Sequence, residues 1–238
     1  MPGLEVVTGV ILAGGAGTRL KAVVSDRPKV LAPVGGRPFL AYLLDQLARA
    51  GIKEVVLCTG YQAEMIEAAL GDRYQSLNLK YSREEKPLGT GGALRLALPH
   101  CASDPILAMN GDSFIDADLT AFWSWFAPRD RNAGLLLTKV RDTRRYGSVQ
   151  VREDGLILGF AEKSAAFGPG WINAGVYILR KHVLSLIPLG KPYSLERELF
   201  PALAGKNLYG FPVTGKFIDI GTPESYLEAE KFFGKGGG

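Results

Sequence analysis

Short apolar runs alternate with helically periodic segments through the first half of the chain. Residues 8–13 are apolar and stop at Gly14-Gly15, as a buried strand does. Residues 39–50 place Phe39, Leu40, Leu43, Leu44 and Leu47 on one helical face and end at Gly51. The pattern then predicts a strand over 54–59, a helix over 62–70 closed by Gly71, a short strand over 77–81 and a helix over 91–98. A strand over 105–110 runs into Gly111-Asp112. Such alternation predicts an α/β, Rossmann-like sheet, mostly parallel, with helices on both faces and right-handed crossovers. Ligands of these sheets bind beyond the carboxyl ends of the strands. The loops at Gly14, Glu84 and Asp112 are therefore expected to share one crevice.

The second half reads as strands over 133–140, 148–151, 156–161 and 171–179, with turn signals at Asp154-Gly155 and Gly168-Pro169-Gly170. These are expected to extend the sheet and wall the pocket. A helix around 195–203, a last strand ending near Asp219 and a helix over 223–233 complete one domain spanning 1–233. Residues 234–238, Gly-Lys-Gly-Gly-Gly, read as a flexible tail.

Composition narrows the function classes. At 238 residues and 47% hydrophobic, the chain suits one large α/β domain. No window of eighteen uninterrupted apolar residues occurs, and the start lacks a basic-then-apolar signal pattern. A cytoplasmic protein with no membrane contact is expected. Cys58 and Cys101 show no metal-ligand spacing and read as reduced core thiols. His100 and His182 read as surface residues. The net charge of +4 is scattered apart from Arg141, Arg144 and Arg145, and no aromatic-interleaved basic stripe marks a nucleic-acid surface.

The strongest local motif is Leu12-Ala13-Gly14-Gly15-Ala16-Gly17-Thr18-Arg19-Leu20, followed by Pro28-Lys29. A glycine turn after a strand lets backbone N–H groups approach phosphate oxygens. It is not a P-loop, because no GxxxxGK[ST] run exists. Nor is it a dinucleotide fingerprint, because Leu20 stands where the third glycine belongs. Arg19 and Lys29 close behind suit a triphosphate; two solvated surface charges are the alternative. Asp112 and Asp219 each end a strand. Either can cap the next element, but together they offer two hard oxygen ligands. Asp116 and Asp118 read as polar surface or a helix start.

Gly14-Gly15-x-Gly17-Thr18-Arg19 with Pro28-Lys29 resembles the sugar-phosphate nucleotidyltransferases, a GT-A-like fold family that joins a sugar 1-phosphate to a nucleotide. The resemblance covers nearly the whole chain, with residues 8–115 as the nucleotide part and 116–233 as the sugar part. It implies that Arg19 and Lys29 are catalytic and contact the triphosphate. Leu12, Ala13, Gly14, Gly15, Gly17, Thr18, Glu84, Pro87, Gly89 and Thr90 would bind the nucleotide. Asp112 and Asp219 would hold Mg2+. Asp112, Gly147, Glu162, Lys163 and Asn173 would bind the sugar phosphate, from the runs Tyr146-Gly147-Ser148-Val149, Glu162-Lys163 and Ile172-Asn173-Ala174-Gly175-Val176-Tyr177.

A carboxylate at Glu84 accepts from the two neighbouring donors of guanine, which favours guanine over uracil; Glu85 is an alternative reader. The runs at 87–93, 110–114 and 145–149 resemble most the D-glycero-α-D-manno-heptose 1-phosphate guanylyltransferases, which implies lipopolysaccharide, capsule or S-layer glycans downstream. Mannose-1-phosphate guanylyltransferase and N-acetylmuramate-1-phosphate uridylyltransferase are the rival activities, and a non-catalytic nucleotide-sugar sensor is the rival class. The implied partners are the two small substrates, with a homo-oligomer allowed.

Overall fold

The computed structural model describes residues 3–161 and 168–234. β1 (Thr8–Leu12) leads through the glycine turn to a small hairpin, β2 (Pro33–Val34) and β3 (Arg37–Pro38), and then to α1 (Phe39–Arg49). β4 (Glu54–Thr59), α2 (Ala63–Leu70), β5 (Arg73–Tyr74), β6 (Leu77–Arg83), α3 (Gly89–Ala97) and β7 (Ile106–Asn110) complete the first half. The second half runs β8 (Ser113–Ile115), α4 (Leu119–Phe126), β9 (Ala133–Val140), β10 (Ser148–Val151), β11 (Ile157–Ala161), β12 (Gly170–Leu179) and α5 (Lys181–Ser185). A π-helical turn (Leu195–Leu199), α6 (Phe200–Leu203), β13 (Leu208–Val213), β14 (Phe217–Asp219) and α7 (Pro223–Phe233) follow.

Eight strands form the main sheet in the order β13-β9-β12-β7-β1-β4-β6-β5. β1 pairs in parallel with β4 on one side and β7 on the other, and β4 pairs in parallel with β6. The winding therefore reverses at β1, which opens a crevice at the carboxyl ends of β1 and β7. β12 is antiparallel to both β7 and β9, so the sheet is mixed. Alternate residues of β1 enter different cores: Ile11 packs with α1 and α4 residues, and Val10 with α3 residues and Tyr177. Both faces are buried, which explains why β1, β4 and β7 read as continuous apolar runs rather than alternating ones.

One expectation needs correction. β10 and β11 do not extend the main sheet; they pair only with each other. β12 already has β7 and β9 on its two edges, and β9 has β12 and β13, so neither can take them; a single antiparallel bridge, Leu156 with Tyr209, links the β10–β11 hairpin to the edge strand β13. The last strand, expected to end near Asp219, is β14, which pairs with β8 in a separate two-stranded ladder. The pattern had not marked β8, β13, α4 or α5. Asp118, read as a helix start, does cap α4: its Oδ1 accepts from the N–H groups of Thr120 (2.8 Å) and Ala121 (3.0 Å).

α7 holds β14 in place. It opens with a capping box between Thr222 and Ser225 and has proline in its first turn. Its far end supplies Phe233, which stacks on Tyr42 at 3.8 Å and meets Phe114 of β8 edge-on at 5.2 Å. The short β8–β14 ladder is thus clamped by aromatic packing onto α1. Phe233 is half-buried, so Phe233→Ala should cost about 2 kcal/mol, a Tm loss of roughly 4–8 °C in a thermal melt. An unchanged Tm would show that the clamp contributes nothing.

Candidate active site

A cavity of about 1030 Å³ opens at the reversal point. Leu12, Ala13, Gly14, Gly15, Lys29, Glu84, Pro87, Gly89, Thr90 and Asp112 all line it, so ten of the expected residues share one crevice. Gly15 has no protein atom within 4 Å of the position a Cβ would take, which leaves its backbone open to a ligand. Gly14 is small for a second reason: a Cβ there would lie 2.9 Å from Glu84 Oε1. Gly17, Thr18 and Arg19 lie just outside the lining. Gly17 has φ +58 and packs on the Lys29 stem, where a Cβ would sit 3.0 Å from Lys29 Cβ. Thr18 and Arg19 are exposed.

Glu84 is half-buried at the end of β6. Its Oε2 accepts from the Leu88 N–H at 3.0 Å, which fixes the turn into α3. Burial raises its carboxyl above the usual range, and the Leu88 N–H only partly offsets this. The glycines that open α3 serve packing as well as access. The Gly91 and Gly92 N–H groups donate to the Tyr193 carbonyl at 2.9 and 3.1 Å, and a Cβ on Gly89 would lie 2.8 Å from that same oxygen. The Thr90 hydroxyl donates to Glu196 (2.7 Å) and accepts from the Leu195 N–H (2.9 Å), so it is already engaged by the π-helical turn.

The two aspartates are neighbours. Asp219 of β14 stands opposite Ser113 of β8, and the Ile220 N–H donates to the Asp112 carbonyl at 2.9 Å. Gly111 makes the approach possible, since a Cβ there would lie 2.5 Å from the Leu12 carbonyl. Each carboxylate faces a cation of the chain itself. Lys29 Nζ reaches Asp112 Oδ2 at 2.5 Å. Arg145 Nη2 reaches Asp219 Oδ1 and Oδ2 at 2.6 and 2.8 Å, and the Tyr146 hydroxyl donates to Oδ2 at 2.7 Å. The Gly221 N–H (2.8 Å) and the Ser225 hydroxyl (3.2 Å) also donate to Asp219 Oδ1. Burial, then Asp219 itself, pushes the Tyr146 phenol well up. Arg19 is also near, its Nη2 3.7 Å from the Cβ position of Gly221; Asp219 Oδ1 is 2.9 Å from the same point.

Among the described residues no three His, Cys, Asp or Glu side chains cluster as a metal nest. Asp112 and Asp219 nevertheless fit a hard divalent ion. Magnesium uses one or two carboxylates and completes its shell with phosphate oxygens and water. The fit rests on two aspartates at neighbouring strand ends, each carrying a carboxylate whose charge is matched by Lys29 or Arg145.

On the far side of β7, Asn173 donates to the Tyr177 hydroxyl (3.0 Å) and accepts from the Gly175 N–H (2.9 Å). Gly175, at φ +77, leaves room for Asn110, which lines the cavity. Gly147, at φ +78, closes the turn before β10, its N–H donating to Thr143 at 2.9 Å. Neither Gly147 nor Asn173 lines the cavity; Asn110, which packs against Gly175, does. Glu162 and Lys163 lie outside the described residues. Sequence reasoning gave Ser225 no part, and it named Arg145 only in a charge cluster and the run at 145–149, and Tyr177 only in the run at 172–177, without a site role for either. Arg145 carried a signal, as the arginine directly before Tyr146-Gly147. Cys58 and Cys101 are unpaired and buried, and burial pushes the Cys101 thiol up to about 11, which suits packing rather than nucleophilic work.

The Glu84 carboxyl binds its proton more tightly folded than unfolded. Its ionisation therefore weakens folding as pH rises above the unfolded value of about 4.3. Glu84→Gln should melt higher than the parent at pH 7–8, with the difference vanishing below about pH 4. A lower melting point for Glu84→Gln at pH 8 would contradict the burial argument.

Comparison with known proteins agrees with this geometry. The family model described as nucleotidyl transferase matches residues 8–236. The chain is 38% identical to a D-glycero-α-D-manno-heptose 1-phosphate guanylyltransferase of Aneurinibacillus thermoaerophilus, over 93% of this chain and 96% of that one. It is 36% identical to a mannose-1-phosphate guanylyltransferase of Mycobacterium tuberculosis over 93% of its length, but spans only 63% of that protein. The crystal structure of HddC from Yersinia pseudotuberculosis complexed with GMP-PN superposes with a TM-score of 0.84 at 34% identity, covering 95% of this chain and 99% of that one. A glycine turn, paired strand-end aspartates and a family match over almost the full length place the chain in the sugar-phosphate nucleotidyltransferase family.

Proposed function

We propose that the chain condenses GTP with D-glycero-α-D-manno-heptose 1-phosphate to give GDP-heptose and pyrophosphate. The observation that carries this reading is the pairing of Asp112 with Asp219 beside Arg19, Lys29 and the open Gly15 turn. The heptose and guanine assignments draw support from the Aneurinibacillus relative, which matches over nearly its whole length, and from Glu84, a cavity-lining carboxyl group whose oxygens can accept from the donors of guanine. Residues 8–115 would then hold the nucleotide and 116–233 the sugar.

An oxygen of the sugar 1-phosphate attacks the α-phosphorus of GTP. The bond to the β-phosphate oxygen breaks, and pyrophosphate leaves with the electron pair. The nucleophile is already anionic, so no general base is needed. The work of the chain is to hold two polyanions together and in line. The backbone at Leu12, Ala13, Gly14, Gly15, Gly17 and Thr18 cradles the triphosphate, while Pro87, Gly89 and Thr90 border the base read by Glu84. Lys29 leaves Asp112 for phosphate, and Arg19 steadies the departing pyrophosphate. Lys163 holds the sugar phosphate, with Gly147, Glu162 and Asn173 along the sugar. Asp112 and Asp219 would hold a divalent ion, Mg2+, which would supply Lewis-acid charge at the phosphates.

A panel of nucleoside triphosphates and sugar 1-phosphates, scored by pyrophosphate release, tests the assignment. GTP with the heptose 1-phosphate is expected to give the highest kcat/KM. A preference for mannose 1-phosphate would move the chain to the activity of the mycobacterial relative. A preference for UTP with N-acetylmuramate 1-phosphate would reverse the reading of Glu84. Binding without turnover would make the chain a nucleotide-sugar sensor, against which its intact charge set argues. Arg19→Ala should lower turnover about a hundredfold, like the loss of other transition-state charge stabilisers; near-parental pyrophosphate release would remove Arg19 from the mechanism.

A further inference from the structure

Asp219 is the most heavily satisfied carboxylate at the site. Arg145, Tyr146, the Gly221 N–H and Ser225 all donate to it, and its side chain is only 13% exposed. A carboxylate wrapped in this way has its charge matched and its lone pairs engaged. A divalent ion cannot bind it without removing a donor, and a bound cation would repel the nearest one, the guanidinium of Arg145. Arg145 is the donor best able to leave. Its side chain is 37% exposed, and it belongs to the turn that ends at Gly147, whereas Gly221 and Ser225 are fixed by the start of α7. A single guanidinium nitrogen makes all three of its hydrogen bonds, two to Asp219 and one to Ser225 Oγ at 2.9 Å. The planar fork that grips phosphate from two sides is thus not used on Asp219.

We infer that Arg145 is a stored phosphate-binding residue: it neutralises Asp219 while no divalent ion is bound, and yields that carboxylate to the ion as it turns to the sugar 1-phosphate. The inference rests on the metal reading of Asp219 given above. It follows that metal and sugar phosphate bind in a coupled way, since each takes one partner of an existing ion pair. Arg19, whose Nη2 lies 3.7 Å from the Cβ position of Gly221, takes no part in this ion pair and stays with the triphosphate, so the two arginines serve the two anions separately.

Mn2+ binding to the full chain, followed by electron paramagnetic resonance without nucleotide or sugar, tests this without catalysis. Arg145→Ala is expected to bind Mn2+ about tenfold more tightly than the parent, because the competing cation is gone. In turnover the same variant should show a KM for the sugar 1-phosphate raised about tenfold, with the KM for GTP held. Arg145→Gln, which keeps the side-chain length without the charge, should move both readouts in the same directions if the alanine variant folds poorly. Equal or weaker Mn2+ binding in these variants would make Arg145 a structural brace for Asp219 and overturn the inference. Absence of Mn2+ binding in parent and variants alike would remove the metal reading beneath it, whereas a different preferred nucleotide in the substrate panel would leave the Mn2+ comparison intact.

Discussion

Two carboxylates set side by side repel each other and lower the stability of whatever holds them. This chain brings Asp112 and Asp219 together through a three-residue ladder between β8 and β14, and it matches each with a cation from elsewhere in the sequence. Lys29 arrives from the segment after the glycine turn and Arg145 from the turn before β10. The same pairings that offset this repulsion bring four distant stretches of chain together. Charge neutralisation is therefore both what stabilises the site and what a divalent ion and two phosphorylated substrates must rearrange to use it.

Backbone proximity is the second requirement. Gly111 lets the Asp112 loop touch the end of β1, Gly14 makes way for Glu84, and Gly175 admits Asn110. Each glycine answers a particular neighbour, so the glycine-rich turn is more than a phosphate cradle. Gly15, with nothing against it, is the position in that turn whose openness faces the cavity alone. The turn thus divides its work between supporting the wall and leaving room for a ligand.

Much of this was legible beforehand, for stated reasons. Both-face burial leaves continuous apolar runs, so β1, β4 and β7 announced themselves and their order implied a crevice beyond Leu12 and Asn110. Strand ends carrying Gly14-Gly15 and Gly111-Asp112 then located the cavity wall. What stayed hidden depends on contacts far apart in sequence. Whether β10 joins the main sheet turns on β9 and β13 already flanking their neighbours, which no local pattern reports. The three residues of β8 are too few to show a period. The engagement of Thr90 by Glu196, 106 residues away, and of Asp219 by Arg145, 74 residues away, likewise left no local trace.

The most direct measurement of the central arrangement is anomalous diffraction from crystals soaked with Mn2+ and a non-hydrolysable GTP analogue. The expected result is an anomalous peak shared by Asp112 and Asp219, with Arg145 withdrawn and the triphosphate along the Gly15 turn. A peak elsewhere, with the arginine still seated on Asp219 and the nucleotide bound, would contradict the account.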